Sequence, residues 1–290
     1  MLQRLGSSLV KHTGKHLSFT LDKILTALNP NNSKIDYLNT IVNVNQSPRD
    51  NSIAIQEKES NSVRFVTWNL WTEYSTKTWF GDDRQSPDKT MQLQKQFLDV
   101  RGDYFGFQEA YMNPAITWGY LTVNPLKYQF FGMTDDAKLG DYIGNMTLTK
   151  FKPTESKAVI YSDTQPTSLD VWKRGYIREK LPNGIVVYNT HLSTDPARTT
   201  TMLAELLAEI KENGGDKVVL LGDFNVRDAS ALSEFEDYGF TIVNKSVWGG
   251  EIDRILVRGL NITGYGMVEI LGGKGSHLSD HNMFYVDVEV

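Results

Sequence analysis

Asp223 and Asn225 stand two residues apart directly after an apolar run, Val218-Val219-Leu220-Leu221-Gly222. Residues i and i+2 of a strand leave it on the same face, so a carboxylate and a carboxamide at this spacing address one ligand together. Gly-Asp-x-Asn also suits an ordinary turn. The chain repeats the device, however. Val63-Arg64-Phe65-Val66-Thr67-Trp68 ends on Asn69, Tyr104-Phe105-Gly106-Phe107 runs into Gln108-Glu109, and Ile185-Val186-Val187-Tyr188-Asn189-Thr190 ends on His191. Asp253 opens Asp-Arg-Ile-Leu, and Ser279-Asp280-His281 follows near the C-terminus. Asn69 and Glu109 offer oxygen donors of the kind that Mg2+ prefers. Glu109 lies beyond an apolar run that enters a core, where a carboxylate needs a partner and a metal is one. A neutral imidazole such as His281 takes a proton from water near neutral pH.

Each group also has a plainer reading. Asn69 suits a strand-end turn, His191 a satisfied strand-end histidine, and Asp280-His281 a solvated loop. Weight comes from their joint occurrence.

The elements that must position these groups alternate along the chain. Asp195 is a good N-cap, Pro196 sits in a first turn and Gly214-Gly215 are a stop signal, which predicts a helix from Pro196 to Asn213. Met202, Leu203, Leu206, Leu207 and Ile210 form its core face. Pro87 to Val100 reads as helical, and Asp228 to Tyr238 as a shorter helix. Strands alternating with helices from Val63 onward define a mixed α/β domain over residues 63–290.

Residues 1–62 differ. Leu17, Leu21, Ile24, Leu25 and Leu28 recur at helical spacing before Asn29-Pro30, and Asn and Ser are frequent from there to Ser62. This is an N-terminal arm with one amphipathic helix and a linker. It either packs on its own domain or docks to a partner or larger assembly.

Composition excludes several classes. The chain has 290 residues and no cysteine, so disulfides, thiolate metal sites and a cysteine nucleophile are absent. The net charge of −5 provides no global basic field toward nucleic acid or an anionic membrane, although a bound cation and local Lys/Arg groups can supply one. No run of about 18 apolar residues exists to span a bilayer. Lys11, His12, Lys15, His16, Asp22 and Lys23 break up the N-terminal apolar stretches, so no signal peptide is recognisable. The expectation is a soluble protein, cytoplasmic or part of a larger particle, with its compartment open.

The six blocks, in this order, resemble those of the endonuclease/exonuclease/phosphatase family, whose best-known member is deoxyribonuclease I. The resemblance covers residues 63–290. It implies a four-layer sandwich, two stacked mixed β-sheets flanked by helices, with an active site at one edge where strand ends converge. It also implies hydrolysis of a phosphate ester by in-line attack of water. The matching Asn69 and Glu109 would hold Mg2+ (or Mn2+ or Ca2+), with help from Asp280. His281, paired with Asp253, would activate the water. His191 would assist the leaving oxygen as general acid or as a donor to the phosphate. Asp223 would orient the water or the metal, and Asn225 would donate to the phosphoryl oxygens. Asn145, in Gly144-Asn145, and Arg174 resemble further phosphate-binding positions, with a surface charge as the alternative for Arg174.

Substrate class is less legible. Nucleic acid is the leading expectation, with Tyr111, Tyr120, Lys127, Lys138 and Tyr142 as groove candidates. A phospholipid or polyol-phosphate substrate is the alternative, and a non-catalytic binding protein that kept the fold is a second. The Thr-His-Leu block around His191 resembles the deoxyribonuclease, sphingomyelinase and inositol-phosphatase branches.

Overall fold

The computed structural model describes residues 55, 57–70, 96–112, 126–137, 141–243, 245, 251–268 and 279–290. The N-terminal helix and linker expected before Ile55 lie outside these residues. So do Tyr120, Lys138 and the first part of the helix expected from Pro87.

Twelve strands form two six-stranded sheets. The first sheet has the order β11 (Ile262–Val268), β12 (Met283–Glu289), β1 (Ser62–Asn69), β2 (Tyr104–Met112), β4 (Asp141–Thr149), β3 (Tyr128–Ala137). The second has the order β5 (Glu155–Ile160), β6 (Gly175–Lys180), β7 (Val186–His191), β8 (Val218–Asp223), β10 (Asp253–Arg258), β9 (Thr241–Ile242). Each sheet is mixed: β1 with β2 and β7 with β8 are parallel, and the other described pairs are antiparallel.

Alternation along the strands makes the layers. Val63, Phe65 and Tyr104 of the first sheet pack against Val187, Val219, Leu221, Ile255 and Val257 of the second. The intervening residues face outward. Val66, Trp68, Phe105 and Phe107 meet Phe97 and Val100, from a helical segment at residues 96–100. Val186, Tyr188, Val218 and Leu220 meet helix α1 (Pro196–Asn213). The bounds of α1 are those expected from its caps: the Asp195 side chain accepts from Ala197 N, and Gly214 N–H closes on the Ile210 carbonyl. Met202, Leu203, Leu206, Leu207 and Ile210 are all buried. At about 1.5–3 kcal/mol for each such side chain, docking outweighs the cap at about 1 kcal/mol. The shorter helix expected at Asp228–Tyr238 divides into a 3-10 turn, Ala229–Leu232, and helix α2, Ser233–Asp237.

Gly106 marks a close approach of the sheets. A Cβ there would lie 2.2 Å from Leu221 Cδ1 and 2.8 Å from Asn189 Cγ. Beneath the site the two sheets are also joined by buried amides. Gln108 Nε2 donates to Asn189 Oδ1 (2.7 Å), and Asn189 Nδ2 donates to the Phe107 and Met146 carbonyls (both 3.0 Å).

Candidate active site

Register brings the strand-end groups together. Across the second sheet, Gly175, His191, Asp223 and Asp253 are successive cross-strand partners on β6, β7, β8 and β10. His191, Asp223 and Asp253 continue the inward-facing series of Val187, Val219 with Leu221, and Ile255 with Val257. Asn69 continues the inward series of Val63 and Phe65 from the other sheet. Its Nδ2 donates to Glu109 Oε1 (2.9 Å) and to Asp223 Oδ2 (3.0 Å), so one amide holds carboxylates from both sheets together.

Glu109 reaches this point through a break in β2. The pairing of β2 with β4 slips between Phe107 and Ala110, so Gln108 and Glu109 together oppose Asn145. A bulge of this kind re-aims a side chain. Glu109 has φ 47°, a left-handed conformation that a non-glycine residue adopts at a cost of about 1–3 kcal/mol. In a regular strand it would project away from Gln108 and thus away from Asn69. Asn225 is also left-handed, with φ 53°. Its backbone N–H donates to Asp223 Oδ1 (2.9 Å), and its Nδ2 donates to the Leu192 carbonyl (2.9 Å). One amide hydrogen of Asn225 is therefore taken, and one is left for a ligand.

The two histidines differ in environment. His281 Nδ1 donates to Asp253 Oδ2 at 2.6 Å, and its Nε2 lies 4.0 Å from Asp223 Oδ2 and 3.9 Å from Asp280 Oδ1. Burial acts to lower its pKa. The hydrogen bond and charge of Asp253, with Asp223 and Asp280, outweigh burial and raise the pKa to about 10. Burial raises Asp253 to about 7 against the opposing pull of His281. His191 is depressed well below 6.5, first by burial and then by the charges of Arg174 and His281. Arg174 Nη1 lies 3.0 Å from each of its ring nitrogens, and Asp223 Oδ2 lies 3.5 Å from Nε2. A neutral tautomer with its proton on Nε2 satisfies both neighbours. Neutral His191 is a hydrogen-bond donor rather than a charged acid.

Asn145 lines a small cleft together with Glu109, Trp172, Arg174 and His191. Its Nδ2, however, donates to the Gly175 carbonyl (2.8 Å) and lies 3.4 Å from the Asn189 carbonyl, so its amide donor serves to join the sheets. Asp280 is exposed and stands outside the two sets of groups close enough to share an ion. Those sets are Glu109, His191, Asp223 and Asp223, Asp253, His281. Carboxylate oxygens from Glu109 and Asp223 beside an Asn carboxamide fit a hard divalent cation.

Three contributors carry no sequence signal that identifies their role. The Ser279 hydroxyl donates to the Asn69 carbonyl (2.6 Å) and accepts from His281 N–H (3.0 Å), and Trp68 Nε1 donates to the His281 carbonyl (3.1 Å). Asp170, in a loop without periodicity, holds Arg174 through a two-pronged ion pair. Burial opposes ionisation of Asp170, but the hydrogen bonds and charge of Arg174, with Ser193 and the Trp172 N–H, hold its pKa below 3.8.

The sequence pattern of the Endonuclease/Exonuclease/phosphatase family matches residues 66–281. The chain belongs to this family. Its members are phosphoester hydrolases, and the span of the match runs from β1 to His281. Among solved structures, humanized D. rerio TDP2 is similar at 20% identity and TM-score 0.61, covering 80% of this chain and 100% of that one. Sphingomyelinase C from Streptomyces griseocarneus shows 17% identity and TM-score 0.58, over 78% and 99% of the two chains. A mannosyl-6-phosphatase from Bacteroides thetaiotaomicron shows 16% identity and TM-score 0.60, over 78% and 99%. These likenesses establish the two-sheet fold common to the family. No curated protein matches the sequence.

Proposed function

We propose that this protein is a divalent-metal-dependent phosphodiesterase that cleaves nucleic-acid phosphodiester bonds by in-line attack of water. The observation that carries the reading is the convergence of the His281–Asp253 pair (2.6 Å) and the Asn69–Glu109–Asp223 cluster (2.9 and 3.0 Å) at one edge of the sandwich.

Glu109 and Asp223 would hold Mg2+, or Mn2+ or Ca2+, joined by Asn69 Oδ1 once the amide turns its oxygen toward them in place of Nδ2, with Asp280 as a more distant carboxylate. A cation held there would supply Lewis-acid polarisation of a phosphoryl oxygen and would offset the negative charge around His281. His281 receives the proton of the attacking water at Nε2, while Asp253 fixes the tautomer and stabilises the imidazolium. Asp223 orients the water. The second Arg174 Nη1 hydrogen and the remaining Asn225 amide hydrogen stabilise the phosphoryl oxygens as charge develops, and His191 Nε2–H, drawn from Asp223, serves the leaving oxygen. No residue is required as a covalent nucleophile.

Nucleic acid is favoured by the cleft beside His191, where Trp172 and Lys173 adjoin Arg174. Aromatic faces next to cations are the usual means of gripping a single strand. In the same vein, D. rerio TDP2, a protein of similar fold, is known in complex with a single-strand DNA product.

Supercoiled plasmid with Mg2+ tests the reading. Nicking that is lost both with EDTA and in His281→Ala supports it. Intact plasmid, with cleavage of a phospholipid or polyol-phosphate diester instead, keeps the chemistry and overturns the substrate. No hydrolysis of any diester overturns both.

A further inference from the structure

Asp170 accepts four hydrogen bonds while being 4% exposed. Its Oδ2 accepts from Arg174 Nε (3.0 Å) and Ser193 Oγ (2.7 Å), and its Oδ1 accepts from Arg174 Nη2 (3.1 Å) and Trp172 N–H (3.1 Å). A guanidinium offers more than one forked edge to oxygen ligands. Asp170 occupies the Nε/Nη2 edge. Nη1 is left directed at His191, on the wall of the cleft.

The surrounding loop is held by other means. Arg198, in the first turn of α1, donates to the backbone carbonyls of Asp170 (3.0 Å), Asp163 (3.0 Å) and Trp172 (3.3 Å). Thr194 Oγ1 donates to the Leu169 carbonyl (2.6 Å). None of these bonds uses the Asp170 carboxylate. The carboxylate bonds to Arg174, to Ser193, two residues beyond His191, and to the Trp172 N–H of the loop, with Arg198 Nη1 3.7 Å from its Oδ2. Arg198 and Thr194 hold the loop path through backbone carbonyls, to which Asp170 adds its Trp172 N–H bond, while the aim of the guanidinium rests on Asp170.

We propose that Asp170 is a positioning residue that fixes Arg174 as the cation gripping the substrate phosphate, an inference that rests on the phosphodiesterase reading above. An arginine side chain free to sample rotamers loses that freedom on binding an anion. One already locked at Nε and Nη2 loses little, so the grip is stronger at the same charge. Asp170 touches neither substrate nor metal and acts through Arg174.

The test measures inorganic phosphate binding by calorimetry with Mg2+ present, beside KM and kcat for bis(p-nitrophenyl) phosphate. Wild type, Asp170→Asn, Arg174→Ala and the double variant are compared. Asp170→Asn is nearly isosteric and keeps an acceptor for Trp172 N–H. Expected is a loss of phosphate affinity and a rise in KM of about tenfold or more in Asp170→Asn, together with a lower melting temperature, since a buried ion pair is broken. The double variant should be no weaker than Arg174→Ala alone. If Asp170→Asn does not fold, Ser193→Ala should show the same direction with a smaller loss.

Equal losses from Asp170→Asn with and without Arg174 would overturn the inference. So would unchanged phosphate affinity with a lowered melting temperature, or a wild type that binds no phosphate. If wild type binds phosphate in the expected pattern but hydrolyses no diester, the phosphodiesterase reading fails and the assignment of Asp170 stands.

Discussion

Asp223 and Asp253 are direct cross-strand partners on β8 and β10, 2% and 0% exposed. Like charges opposite one another in a sheet are destabilising, and here both are also removed from water. The arrangement persists because each carboxylate has a cationic or donor partner: His281 for Asp253, and the Asn69 and Asn225 N–H groups for Asp223. Stability has been given up to concentrate negative charge where a cation and a protonated imidazole can sit.

Stability of the metal-free protein should therefore fall as pH rises. His281 is raised to about 10 in the fold, against about 6.5 unfolded. The stability it contributes is fully present below pH 6.5 and is lost as pH rises through about 10. Asp253, raised to about 7, acts in the same direction between about pH 4 and 7. Urea midpoints of wild type and His281→Ala at pH 6, 8 and 10 check this. The gap between them should shrink toward pH 10, and a constant gap contradicts the assignment.

Gly222 couples the strands that carry His191 and Asp223. It has φ 148°, and a Cβ there would lie 1.9 Å from the Thr190 carbonyl oxygen. Gly222→Ala must push β7 and β8 apart. Expected is a destabilisation on the order of 3 kcal/mol or more, read from denaturant unfolding. A variant as stable as wild type shows that the strands do not approach so closely.

Ser279 holds the His281 loop against the end of β1 through the Asn69 carbonyl and the His281 N–H. Ser279→Ala should lower kcat on the order of tenfold by loosening the base, for about 1 kcal/mol of stability. Unchanged kcat places the hold on the Trp68–His281 bond instead.

The strand-end groups were legible because alternation continues each inward apolar series into a polar residue, as from Val219 and Leu221 to Asp223. Helix α1 was legible from Asp195, Pro196 and the Gly214-Gly215 stop. The route by which Glu109 meets Asn69 was not, since a two-residue alternation places Gln108 and Glu109 on opposite faces and only the bulge reverses this. Asp170 and Ser279 sit in loops without periodicity, where sequence distance says nothing of neighbours. For Asn145 the residue type suggested a phosphate donor, yet its Nδ2 donates to the Gly175 carbonyl of the facing sheet, a partner that no local pattern reveals.

The proposed role of His281, oriented by Asp253 beside the Glu109–Asp223 cluster, is to activate water. Its most direct test is hydrolysis of bis(p-nitrophenyl) phosphate by wild type and His281→Ala, each with Mg2+ and with EDTA. Expected is Mg2+-dependent turnover by wild type that falls by about 10²–10⁴-fold in His281→Ala and vanishes with EDTA. A His281→Ala rate within about threefold of wild type, or turnover undiminished by EDTA, contradicts the claim.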